Sequence, residues 1–106
     1  MKFIFIFRGG EESPDDEMPE RMAKWGVWID SLGDAFQDGA PLGDEARILT
    51  APDAKPGTET IGDANTEVSG YVTCEAEDLD AAVELCRGCP IYDTNGQVEI
   101  REAIIM

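Results

Sequence analysis

Lys2-Phe-Ile-Phe-Ile-Phe-Arg8 decides the architecture. Every residue between the two bases is a good strand former, and the two-residue period of a strand sends Phe3, Phe5 and Phe7 to one side and Ile4 and Ile6 to the other. A strand that is apolar on both faces belongs in the middle of a sheet whose two sides are both covered. The run is too short for the apolar region of an export signal or for a membrane span, so the sequence predicts a cytoplasmic chain with no membrane partner.

Outward from this strand, an acidic, turn-forming stretch leads to Met18, Met22, Trp25, Ile29, Leu32 and Phe36, which recur at spacings of four and three as one face of a helix. Asp16 is placed to cap it, Pro19 falls in the first turn where its missing N–H costs nothing, and the helix is expected to end near Asp38-Gly39. Gly26 and Gly33 lie beside the apolar stripe and are read as allowing a close approach to the sheet. Gly39 to Gly43 is a connector, Ala46 to Thr50 a short strand, and Ala51 to Gly57 a turn with two prolines. Val68 to Cys74 alternates as a strand, with Val68, Val72 and Cys74 opposite Ser69, Tyr71 and Thr73. Asp78 caps a second helix with Leu79, Ala82, Val83 and Cys86 inward, Gly88 as a left-handed stop and Pro90 preventing continuation. Gln97 to Ile104 closes the chain as a strand, Val98 and Ile100 alternating with Glu99 and Arg101.

The order βαββαβ is the split βαβ pattern of a ferredoxin-like α+β fold: an antiparallel sheet with two helices on one face. Residues 1–106 are read as a single domain, the usual size for one core. Two helices cover one face only, so a second copy laid face to face is expected on the other, making a homodimer in the form of a dimeric α+β barrel.

The chain carries 23 acids against 8 bases, a formal charge of −15, with 42% hydrophobic residues. That balance repels a polyphosphate backbone and argues against nucleic acid as a partner, while the apolar content supports a folded domain. The acids are scattered and read as a solubilising surface. Asp30, Asp34 and Asp38 recur every four residues, but without a carbonyl-rich loop they read as a solvated helix surface, and no metal site or cofactor is expected. Cys74, Cys86 and Cys89 are an odd number of thiols, expected to be reduced. Cys86-Arg-Gly-Cys89 has C-x-x-C spacing, but at the end of a helix, where the dipole disfavours a thiolate; Cys86 is read as core and Cys89 as incidental.

The candidate ligand-binding residues are Arg21, Trp28, Tyr71, Glu99 and Arg101. Arg21 and Trp28 share a flank of the first helix and are placed to edge a pocket for an anionic or aromatic ligand; packing of Trp28 and ion pairing of Arg21 are the plainer alternative. Tyr71 and Thr73 on one strand and Glu99 and Arg101 on another face the same side of the sheet and converge on a cavity if that side lines a barrel, or else make a cross-strand salt link at a solvated edge.

Met22-Ala-Lys-Trp-Gly-Val-Trp-Ile-Asp-Ser-Leu-Gly-Asp34, Thr73-Cys-Glu-Ala-Glu-Asp-Leu-Asp-Ala-Ala82, Cys89-Pro90 and Gly96-Gln-Val-Glu-Ile-Arg101 resemble the corresponding segments of YCII-related (DGPF-type) proteins. The Asp-Gly-Pro-Phe string of the DGPF branch is absent. The resemblance implies a dimeric α+β barrel and, in the YCII branch, a His on the first helix working with an Asp before the Pro that follows the second. Arg21 and Cys89 stand at those positions, and the chain has no His. What the resemblance implies is a small-molecule-binding or catalytic barrel, of lyase, isomerase or dehalogenase type, for a small organic acid or phenolic compound. The missing His favours the alternative of a non-catalytic regulatory or interaction module.

Overall fold

A computed structural model describes residues 1–10, 16–43, 51–53 and 68–104. Strand β1 is Lys2–Arg8, helix α1 Met18–Leu32, strand β2 Phe36–Pro41, strand β3 Val68–Glu75, helix α2 Leu79–Cys86 and strand β4 Gln97–Glu102; 3-10 turns cover Gly33–Ala35 and Pro90–Thr94. The sheet order is β2-β3-β1-β4 with every neighbouring pair antiparallel, which is the ferredoxin-like arrangement.

The two faces of β1 have separate fates. Phe3, Phe5 and Phe7 are buried with Trp28 and Leu32 of α1 and Ala82 and Cys86 of α2, so both helices cover the Phe side. Each of these phenyl groups contributes about 1.5–3 kcal/mol on burial. Phe7, Trp25 and Trp28 form an edge-to-face cluster with ring centroids 5.0, 5.9 and 5.8 Å apart. Ile4 and Ile6 are only half-buried, on the side that no described element covers.

The first helix is shorter than its apolar period suggests. Gly33, with φ of 55°, stops it one residue after Leu32, and its N–H bonds back to the Asp30 carbonyl. Phe36 still packs against the core, but from β2, opposite Cys74. The segment expected to be helix end and connector is therefore the second strand. Gly39 is required there for a different reason, since a Cβ would lie 2.7 Å from the Tyr71 carbonyl oxygen of β3. The strand expected at Ala46 to Thr50 lies outside the described residues, as do residues 54–57 of the expected turn.

At the start of α1 the cap is Glu17, without a side-chain bond, rather than Asp16; Pro19 occupies the first turn as expected. Met18 and Met22 are 43% and 68% exposed, so the buried stripe begins only at Trp25. Gly26 has open space around it and brings nothing close to the sheet. Asp78 caps α2, accepting from the Ala81 N–H at 2.7 Å. Leu79 is exposed, leaving Ala82 and Cys86 as the fully buried positions of that helix. Gly88 does not adopt a left-handed conformation; the left-handed residue is Asn95, φ 62°, at the turn into β4. Cys89 is a core residue, 3% exposed, rather than incidental. Among the described residues no helix is long and apolar enough to cross a membrane.

Candidate functional site

The register lines up two rows across the helix-free face. Asp38, Thr73, Ile4 and Arg101 stand opposite one another in one, and Ala40, Tyr71, Ile6 and Glu99 in the other. Directly paired residues point to the same side, so the rows form a shallow trough. Its floor is Ile4 and Ile6; Thr73 and Tyr71 make one wall, Arg101 and Glu99 the other. Two interstrand steps separate the walls, about 10 Å between their Cα rows.

Glu99 is held by two guanidinium groups. Arg8 Nε donates to Glu99 Oε1 at 3.2 Å, and Arg101 lies 3.6 Å from Oε2. On the opposite wall the Tyr71 hydroxyl donates to Asp38 Oδ2 and the Thr73 hydroxyl to the Asp38 carbonyl, both at 3.4 Å. Among the described residues, the side chains of Lys2, Arg8 and Arg101 balance those of Asp38, Glu75 and Glu99 on this face. The trough is thus apolar at its centre and hydrogen-bonding at both walls, with the side-chain charges of its described residues in balance. A flat polar molecule fits that pattern: its plane against the isoleucines and its edge groups toward the walls.

Three of the five sequence-derived candidates, Tyr71, Glu99 and Arg101, are brought together here. Arg21 and Trp28 are not, because α1 lies across the sheet on the Phe side. Trp28 is 5% exposed and its indole N–H donates to the Leu85 carbonyl at 3.0 Å, which ties α1 to α2. Sequence reasoning missed Arg8 and Asp38. Arg8 was available from the alternation that places Ile4 and Ile6, since it continues the even-numbered face. Asp38 was hidden by its four-residue spacing from Asp30 and Asp34; the three occupy a helix, a 3-10 turn and a strand and make no row. Among the described residues no group of three or more His, Cys, Asp or Glu side chains is placed to hold a metal ion.

A second concavity of about 660 Å³ runs between α1 and the 3-10 turn after α2, lined in part by Val27, Trp28, Pro90 and Tyr92. Lys24 and Asp93 pair at 3.6 Å along it. Tyr92 on its rim helps to hold the turn, its hydroxyl donating to the Cys86 carbonyl at 2.8 Å. Nearby, burial pushes the Cys86 and Cys89 thiols up to about 12, and it pushes Cys74 up to about 11. All three are free, buried thiols, poor nucleophiles at neutral pH, which opposes a redox role for the C-x-x-C spacing.

No protein-family model matches the chain, and no curated protein matches it. Among solved structures it is similar to 5-chloro-2-hydroxyhydroquinone dehydrochlorinase (TftG) from Burkholderia phenoliruptrix AC1100, solved in complex with 2,5-dihydroxybenzoquinone, with a TM-score of 0.58, 15% sequence identity, and 98% of this chain and 94% of that chain covered. At that identity the likeness shows a shared α+β fold.

Proposed function

We propose that this protein is a YCII-related, cytoplasmic small-molecule-binding barrel in which two copies of residues 1–106, each a single domain, close their helix-free faces over a small organic acid or phenolic compound. The observation that carries the reading is the trough, in which Ile4 and Ile6 form a floor between the Tyr71–Thr73 and Glu99–Arg101 walls. A ring lying on that floor needs a lid, and a second sheet at the usual spacing of about 10 Å leaves room for one aromatic layer between apolar side chains. The charge balance of this face fits the same assembly. Two chains of formal charge −15 repel one another, so they associate most readily through a face whose described side-chain charges balance. The dehydrochlorinase was solved in complex with a dihydroxybenzoquinone, which is in keeping with a flat oxygenated ring as the ligand here.

The chemistry the trough offers is acid–base chemistry by carboxylate and phenol groups, suited to an elimination or isomerisation of a ring or acid that carries an acidic proton. Glu99 and Tyr71 stand on either side of Ile6 and face the position of such a ring. The absence of His from the sequence favours a second reading, a module that binds without turnover. A thermal-shift screen against phenols, hydroxybenzoates and small aliphatic acids tests binding. Stabilisation by at least one ring compound, abolished by Ile6→Asp, is the expected result; no stabilisation by any compound at high excess contradicts the reading. Product analysis on the stabilising compound then separates enzyme from binding module.

A further inference from the structure

We infer that Glu99 is the internal occupant of an anion subsite, and that the carboxylate of a flat ligand displaces it from Arg101; this rests on the small-molecule site proposed above. The two contacts of Glu99 differ in kind. Its bond from Arg8 Nε, at 3.2 Å, involves a side chain 32% exposed. Its contact with Arg101, at 3.6 Å, is longer than a hydrogen bond and involves a side chain 69% exposed. A guanidinium carries five N–H donors in a planar fork that matches both oxygens of a carboxylate at once. Glu99 sits two residues from Arg101 on the same strand and reaches it from the side, with one oxygen. A free carboxylate approaching from above can align both.

Displacement leaves no stranded charge. Glu99 keeps Arg8, so the carboxylate that gives way stays paired while Arg101 takes the ligand. The row that contains Arg101 continues through Ile4 to Thr73 and Asp38. A carboxylate on Arg101, a ring on Ile4 and a hydroxyl directed at Thr73 follow that row across about 10 Å. The ligand class is therefore a carboxylate on a single flat ring with a hydroxyl at the far end.

Isothermal titration with 4-hydroxybenzoate and its neutral methyl ester, on the unaltered protein, Glu99→Gln and Arg101→Gln, tests this. Glu99→Gln should bind the acid about fivefold tighter or better, having lost both the competing carboxylate and a nearby like charge. Arg101→Gln should bind it about tenfold more weakly. The ester should change little across the three proteins. Weaker acid binding by Glu99→Gln, or equal responses of acid and ester, overturns the inference while binding of the ester upholds the small-molecule site. Failure of both compounds to bind any of the three proteins overturns this inference together with the site. Should Glu99→Gln not fold, the Arg101 side-chain N–H resonances of the unaltered protein decide: they should move on adding the acid and stay in place with the ester, and the reverse contradicts displacement.

Discussion

The indole N–H of Trp28 donates to the Leu85 carbonyl at 3.0 Å, joining α1 to α2 above the Phe face of the sheet. With its ring 5.9 Å from Phe7 and 5.8 Å from Trp25, Trp28 is a structural anchor, and the proposed ligand site lies on the other side of the sheet. Trp28→Phe retains much of the apolar contact but leaves the Leu85 carbonyl without its donor. Denaturant unfolding should show a loss of about 1–3 kcal/mol. Ring-compound binding, measured by titration on the folded variant, should be unchanged.

Alternate residues of β1 should respond oppositely to a charge. Phe5 is fully buried beneath the helices, so Phe5→Asp buries an unpaired carboxylate and should abolish the folded state, seen as loss of cooperative unfolding by circular dichroism. Ile4 faces the open side, so Ile4→Asp should retain the fold and instead remove self-association and ring binding. A folded Ile4→Asp protein that still self-associates as the unaltered chain does contradicts the placement of the partner on this face.

This division of β1 marks how far the sequence could be read. Strict alternation of Phe and Ile gives two faces but not which of them the helices take, and alternation groups Tyr71 with Thr73 and Glu99 with Arg101 within each strand; the register between strands, which periodicity does not carry, sets them beside Ile4 and Ile6. Asp78 announces α2 because an extended residue with a carboxylate three positions before Ala81 has one obvious bond to make. The first helix misleads for an equally physical reason. Phe36 keeps the four-and-three spacing past Gly33, although its contact with the core is made from a strand. Met18 and Met22 share the stripe of Trp25 and Ile29 but lie beyond the covered part of the helix. Arg21 and Trp28 were correctly placed on one helix; what periodicity lacks is which side of the sheet that helix takes, and the sheet is what separates them from Tyr71 and Glu99.

The cysteines set an alkaline limit on stability. Burial raises Cys74 to about 11 and Cys86 and Cys89 to about 12, from an ordinary value of 9.0, so the folded chain keeps these protons when the unfolded chain has begun to lose them. The unfolded state therefore binds fewer protons between about pH 9 and pH 12, and stability must fall as pH rises through that window. Their contribution is fully present below pH 9. Chemical denaturation in a pH series should show a decline beginning near pH 9 that is reduced in Cys86→Ala relative to its own value at pH 7. At neutral pH a thiol reagent should react with all three more slowly than with a free model thiol, and a fast-reacting Cys86 or Cys89 would contradict their burial.

Sedimentation equilibrium of the unaltered protein at micromolar concentration, across a series of salt concentrations, tests the two-copy barrel most directly. The chain mass is 11.5 kDa, and the proposed assembly has twice that mass. Salt screens the repulsion between two acidic chains over roughly 8 Å at physiological strength while leaving the Ile4 and Ile6 contact intact, so association should tighten as salt is added. A dimer that strengthens with salt and is lost in Ile4→Asp is the predicted result; a monomer of 11.5 kDa at every salt concentration contradicts the barrel and the closed site it would form.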